Sequence, residues 1–109
     1  MPFTPTHTDT AAALDRLIEV ARGNTHQSAR AANFLLAWWN GREWGFFDLT
    51  DLFAVDAAIA ADMTTVFAFL GQHPGAIYAD GFGRREQMID LVERWHDDTV
   101  ALRQPLTAE

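Results

Sequence analysis

The sequence predicts an all-α protein: a compact four-helix domain with an aromatic loop and one additional short helical turn. Two observations carry this. Four stretches place apolar residues at i, i+3, i+4 and i+7, which is the spacing of one helix face. Breakers separate them at short intervals: Gly23, Asn40-Gly41, then Gly71 and His73-Pro74-Gly75. Ile77-Tyr78 is a fragment of strand pattern, but nothing near it would pair with it. With 109 residues the chain supports one domain over 1–109, with a flexible arm at 1–8 and a tail at 104–109.

The first helix is expected over about Asp9 to Arg22, capped by Thr8 or Asp9. Leu14, Leu17, Ile18 and Ala21 form its apolar face, and Gly23 ends it through the left-handed conformation. Phe3 is the one anchor in the arm that precedes it. The second helix runs from about Thr25 to Trp39, capped by Asn24 or Thr25. It is apolar around most of its circumference, so it is buried on several sides or meets a partner. Asp48 then reads as an N-cap for a short helix from Leu49 to about Phe53, with Asp51 near its positive end. Asp56 is a second cap, opening the third helix to about Leu70. Ile59, Met63, Val66, Phe67 and Leu70 line one side of that helix. Ala57, Ala60, Ala61, Thr64 and Ala68 line the other, and such small residues allow close approach, which places this helix at the centre. The fourth runs from about Arg84 to Asp97, or on to Leu102, with a stripe of Met88, Leu91, Val92, Trp95, Thr99 and Leu102. Asp90 and Arg94 have the favourable i,i+4 order for an ion pair.

Between helices two and three lies an aromatic block, Phe34 to Phe53, holding Trp38, Trp39, Trp44, Phe46 and Phe47. Rings at this density pack a core or bind a partner. Trp38 and Trp39 are adjacent, so on a helix they point about 100° apart and cannot face one neighbour.

The net charge of −7 argues against binding a phosphate backbone, which needs a basic surface. It suits a partner that is itself basic. The absence of cysteine excludes a disulfide framework and thiolate chemistry. No apolar run approaches the ~18 residues of a membrane span. The N-terminus lacks a secretory pattern. A cytoplasmic location follows as an expectation, with no cofactor and no membrane partner.

Several residues are candidates for chemistry. The histidines, His7, His26, His73 and His96, lack metal-ligand spacing, so no metal site is expected. Gly81-Phe82-Gly83 precedes a helix but follows no strand and lacks the lysine of a phosphate loop. Asp62 falls inside the apolar arc of helix three and needs a partner, with Arg30, Arg42 and Arg84 as choices. From Glu43 to Gly83 there is no arginine, but Glu43, Asp48, Asp51, Asp56, Asp62 and Asp80 are present. The plain reading is a solvated face with two helix caps in it. The functional one is an acidic surface beside aromatic anchors.

The run AANFLLAWWNGREWGFFDLTDLFAVD, with DMTTVFAFL and GAIY after it, resembles a family of small uncharacterised bacterial proteins carried on integrative elements and plasmids. The resemblance covers about Ala12 to Trp95. It implies the setting of a mobile-element accessory protein and carries over no catalytic residues.

The expected function is therefore binding of another protein, in a regulatory role, for instance as an anti-CRISPR-like inhibitor of a host nucleic-acid-targeting complex. Trp39, Glu43, Trp44, Asp48, Asp51 and Asp56 are the expected contact residues. The alternative is a homodimer with an aromatic self-interface. A third reading is an enzyme using Asp62 with a histidine, which requires an enclosed polar pocket at Asp62.

Overall fold

The computed structural model of the chain describes residues 3–40 and 47–96. Four α-helices are present: α1 (His7–Ala21), α2 (His26–Asn40), α3 (Ala57–Gln72) and α4 (Arg85–Trp95). Two short 3-10 turns, Leu49–Ala54 and Ala79–Phe82, lie before α3 and α4. No strand occurs among the described residues, and Ile77-Tyr78 is irregular chain. The all-α expectation therefore holds.

The first helix starts two residues earlier than its pattern suggests. Thr6 is the N-cap: its hydroxyl accepts from the Asp9 amide at 2.9 Å. Asp9 reaches back to the Thr6 amide at 3.1 Å, which completes a capping box. Thr8 and Asp9 are inside the helix. Pro5 is buried and His7 and Thr8 belong to α1, so the described part of the arm expected at 1–8 joins the folded body. Phe3 is half exposed, and its carbonyl accepts from the Gln72 side chain at 2.8 Å.

Gly23 does end the first hairpin, but not through a left-handed backbone. Positive φ occurs only at Gly75 and Gly83 among the described glycines. A Cβ on Gly23 would stand 2.6 Å from the Ser28 hydroxyl oxygen, so the residue is small to let α2 start close by. Thr25 caps α2, with its hydroxyl accepting from the Ser28 amide at 3.0 Å. The buried Ser28 hydroxyl pairs with that of Thr25 at 2.9 Å.

The centre of the bundle is α1, not α3. Both α2 and α3 pack against α1, while α4 lies against α2 and the Ala79–Phe82 turn. Ala13, Leu14, Leu17 and Ala21 are fully buried on α1. The small-residue side of α3 does not supply the close approach expected of it. Ala57, Ala61 and Thr64 are exposed, and the Thr64 hydroxyl bonds back to the Ala60 carbonyl at 2.8 Å. Instead α3 meets α1 through Ile59, Met63 and Val66.

The helix directions follow from side-chain contacts. Asp62 on α3 meets Arg16 on α1, and Gln72 at the end of α3 meets Phe3 before α1. These two helices are therefore antiparallel. The hairpin at Gly23 makes α2 antiparallel to α1 as well, so α2 and α3 run side by side in the same direction.

At the far side, α4 ends near the turn between α1 and α2. Trp95 Nε1 donates to the Ala21 carbonyl at 2.7 Å, and Arg94 donates to the Gly23 carbonyl at 2.7 and 3.0 Å. Arg94 also lies over the Trp95 ring. It is thus committed to a helix C-terminus and forms no ion pair with Asp90. The start of α4 is tied to α1 by Arg84 and Asp15, with contacts of 2.6 and 3.0 Å that hold the Arg84 guanidinium above its ordinary pKa. The expected extension of α4 towards Leu102 and the tail at 104–109 lie outside the described residues.

Candidate docking groove

Because α2 and α3 both lean on α1, they leave a furrow between them on the face away from it. Its floor is apolar. One stretch is lined by Phe34, Phe47, Leu49, Leu52, Met63, Thr64 and Phe67. The next shares Phe34, Phe47 and Phe67 and adds Ala37, Trp38 and Leu70. The last shares Trp38 and Leu70 and ends at Ile77 and Tyr78. These shared residues make one continuous groove from Leu49 to Tyr78.

Local rules explain each wall. On α2, Phe34 and Trp38 are four residues apart, so they stack on one face. On α3, Met63, Phe67 and Leu70 occupy the i, i+4, i+7 positions of one stripe. Phe34 meets Phe47 edge-on, with ring centroids 5.3 Å apart. Trp38 Nε1 donates to the Ile77 carbonyl at 2.9 Å, which ties the end of the groove to α2. Below it, Phe82 meets Trp38 edge-on, is stacked by His7 at 4.4 Å and is flanked by Phe69.

The groove is floored by buried side chains and rimmed by exposed ones. Phe34 and Met63 are buried. Leu49 is 66% exposed, Phe67 67% and Tyr78 48%. Phe53, on the neighbouring turn, is 88% exposed. Phe67 shares the apolar side of α3 with Ile59, Met63, Val66 and Leu70, yet its ring lies largely in solvent. Val66 and Phe67 are adjacent on a helix, so only one of them can face α1. Val66 takes that place and is fully buried. Trp38 and Trp39 are both partly buried against the core, and of the two only Trp38 lines the groove.

The acidic residues divide by what they already hold. Asp48 caps the Leu49–Ala54 turn, accepting from the Thr50 amide at 3.0 Å and the Thr50 hydroxyl at 2.7 Å. Those two bonds, the hydroxyl first, hold its pKa below the usual aspartate range. Asp51 lies in the first turn of that element, as expected, and also stands 3.5 Å from Arg30 of α2. Asp56 stands at the N-cap position of α3 without making a side-chain cap bond. It interlocks with the Gln27 side chain instead: the Asp56 backbone N–H donates to Gln27 Oε1 at 2.5 Å, and the Asp56 carboxylate accepts from Gln27 Nε2 at 3.3 Å. Asp51 and Asp56 thus fasten the turn to α2. Glu43 and Trp44 lie outside the described residues.

Asp62 is held by Arg16, not by Arg30, Arg42 or Arg84. The guanidinium contacts both carboxylate oxygens at 2.9 to 3.2 Å, which raises the Arg16 pKa. The pattern on α3 showed that Asp62 needs a cation. It gave no sign of which one, because that depends on α1 and α3 being neighbours. The polar hollow beside Arg16 is lined by Phe3, Asp9, Ala12, Arg16 and Thr65, so Asp62 does not line it. Asp80, which follows Tyr78 at the end of the groove, is exposed and forms no ion pair. No described helix is long and apolar enough to cross a membrane.

No curated protein and no solved structure matches the chain. The model of one family matches residues 11–96, a span that runs from within α1 to the end of α4 and includes every described residue of the groove, and the chain belongs to this family of unknown function, DUF7673.

Proposed function

We propose that the chain is a protein-binding, regulatory module that receives an apolar segment of a basic partner in the groove between α2 and α3. The observation that supports this is the exposure of Phe67, at 67%, above a floor of buried Phe34 and Met63. A large ring left in water over an apolar furrow is costly to leave uncovered, and such patches mark binding surfaces. The sign of the partner follows from charge. From Glu43 to Gly83 every charged side chain is acidic, and the whole chain carries −7. In the setting of a mobile element, such a partner would be a nucleic-acid-targeting complex of the host. The module would then act in the anti-CRISPR manner, by covering a basic surface.

Crosslinking followed by capture, with the wild type and Phe67→Ser compared at rising salt, tests this. A partner held by the wild type, lost with Phe67→Ser and weakened by salt supports it. A partner retained by Phe67→Ser, or no partner at all, overturns it. A dimer of the chain by light scattering that dissociates with Phe67→Ser would assign the groove to a second copy instead.

A further inference from the structure

We infer that the occupant of the groove is an α-helix of about two turns, apolar on one face and carrying a basic residue at each end. This rests on the docking reading above and adds the partner's conformation and charge pattern. The walls are two helices running in the same direction, and from Met63 to Leu70 they offer about 10 Å of contact, close to two turns. Side-chain ridges on such walls leave a furrow that fits the ridge of a third helix.

The chemistry of the lining also selects the conformation. Among the described residues there is no strand, so there is no free sheet edge for an extended segment to join. An extended occupant would bring unpaired amide and carbonyl groups into a furrow of Phe34, Trp38, Met63, Phe67 and Leu70. A helix satisfies those groups internally and presents only side chains.

The charges at the ends select the flanks. Arg16 neutralises Asp62, and Arg30 faces Asp51. Asp48 beside Leu49, and Asp80 just beyond Tyr78, form no ion pair. Asp48 adjoins Leu49 of the first stretch of the groove and Asp80 follows Tyr78 of the last by two residues, so each end has an uncompensated acidic residue close by in the chain. Two exposed ion pairs, each weak in water, amount to about a tenfold preference for basic ends.

The probe is a capped synthetic peptide of about 12 residues, with leucines at i, i+4 and i+7 and two lysines at each end. A matched peptide carries glutamates at the ends, and a third has a central proline. Binding is followed by the methyl resonances of Leu49, Met63 and Leu70. The lysine peptide is expected to shift them, to gain helicity by circular dichroism, and to bind about tenfold tighter than the glutamate peptide at low salt. Combining Asp48→Asn with Asp80→Asn should erase that difference, and asparagine keeps the cap at position 48. Equal binding of the two charged forms, equal binding of the proline form, or no shift at millimolar peptide overturns the inference. Binding that is indifferent to end charge but abolished by Phe67→Ser would remove this inference and leave the docking reading standing. Capture of a partner that is insensitive to Phe67→Ser removes the docking reading itself.

Discussion

Asp48 accepts both of the hydrogen bonds that Thr50 can offer it, and both favour the ionised carboxylate. Its pKa is therefore lower in the folded protein than in the unfolded chain, where an aspartate titrates near ~3.9. The folded state binds that proton less tightly. The contribution to stability is fully present above the unfolded value and is lost as pH falls through the folded one. The expected outcome is that Asp48→Ala lowers the urea midpoint at neutral pH. The gap to the wild type should then close as pH falls below about 4. A carbon-detected titration of the Asp48 carboxyl checks the cause directly, and a midpoint at or above the ordinary aspartate range would refute it. Among the other acids of this region, Asp51 and Asp56 hold Arg30 and Gln27, so replacing them tests the attachment of a turn rather than a charge.

At the scale of elements, the central place of α1 has a measurable consequence. Leu17 on α1 is fully buried in the core, whereas Phe67 is largely exposed. Leu17→Ala is expected to cost about 2–5 kcal/mol. Phe67→Ser should stay within roughly 0.5 kcal/mol, as expected of a surface position. Chemical denaturation of both variants decides the matter, and a large loss in Phe67→Ser would mean that its ring belongs to the core. The helices themselves were legible in the sequence, because caps, glycines and apolar spacing are local signals. Thr25, Asp48 and the stripe of Met88, Leu91, Val92 and Trp95 behave as their positions suggest. The neighbours of each helix were not legible. Small residues at Ala57, Ala61 and Thr64 fit a central helix equally well as a solvated face, and only the packing of α1 distinguishes the two. The site was legible in part. Its acidity and aromatic content show in the sequence, but its lining joins Phe34 to Met63 and Phe67 across separate helices, which no local pattern reports.

Across the described residues burial is unevenly placed, and part of the groove is lined by an element with no buried residue. Six residues of α1 are buried, while the Leu49–Ala54 turn has none. That turn forms one wall of the groove through Leu49 and Leu52, and it is tied down by the Arg30–Asp51 and Gln27–Asp56 contacts. Elements with few buried contacts open locally, well below the free energy of global unfolding. The Asp51 amide, bonded to the Asp48 carbonyl at 2.8 Å, should therefore exchange with solvent at least about a hundredfold faster than the amides of Leu17 and Ile18. Its exchange should also depend little on low concentrations of denaturant, as expected for an opening that exposes little surface. An occupant that covers Leu49 and Leu52 binds only the closed wall, so it should slow exchange at Asp51 and leave Leu17 bounded by global unfolding plus the binding free energy. Native-state hydrogen exchange, with and without the lysine-ended peptide, measures both quantities in one experiment. Equal protection of Asp51 and Leu17 in the free protein would show instead that the turn unfolds only with the core. In that case the groove would meet its partner with a rigid wall, and binding would leave the exchange pattern of the turn and of α1 changed by the same factor.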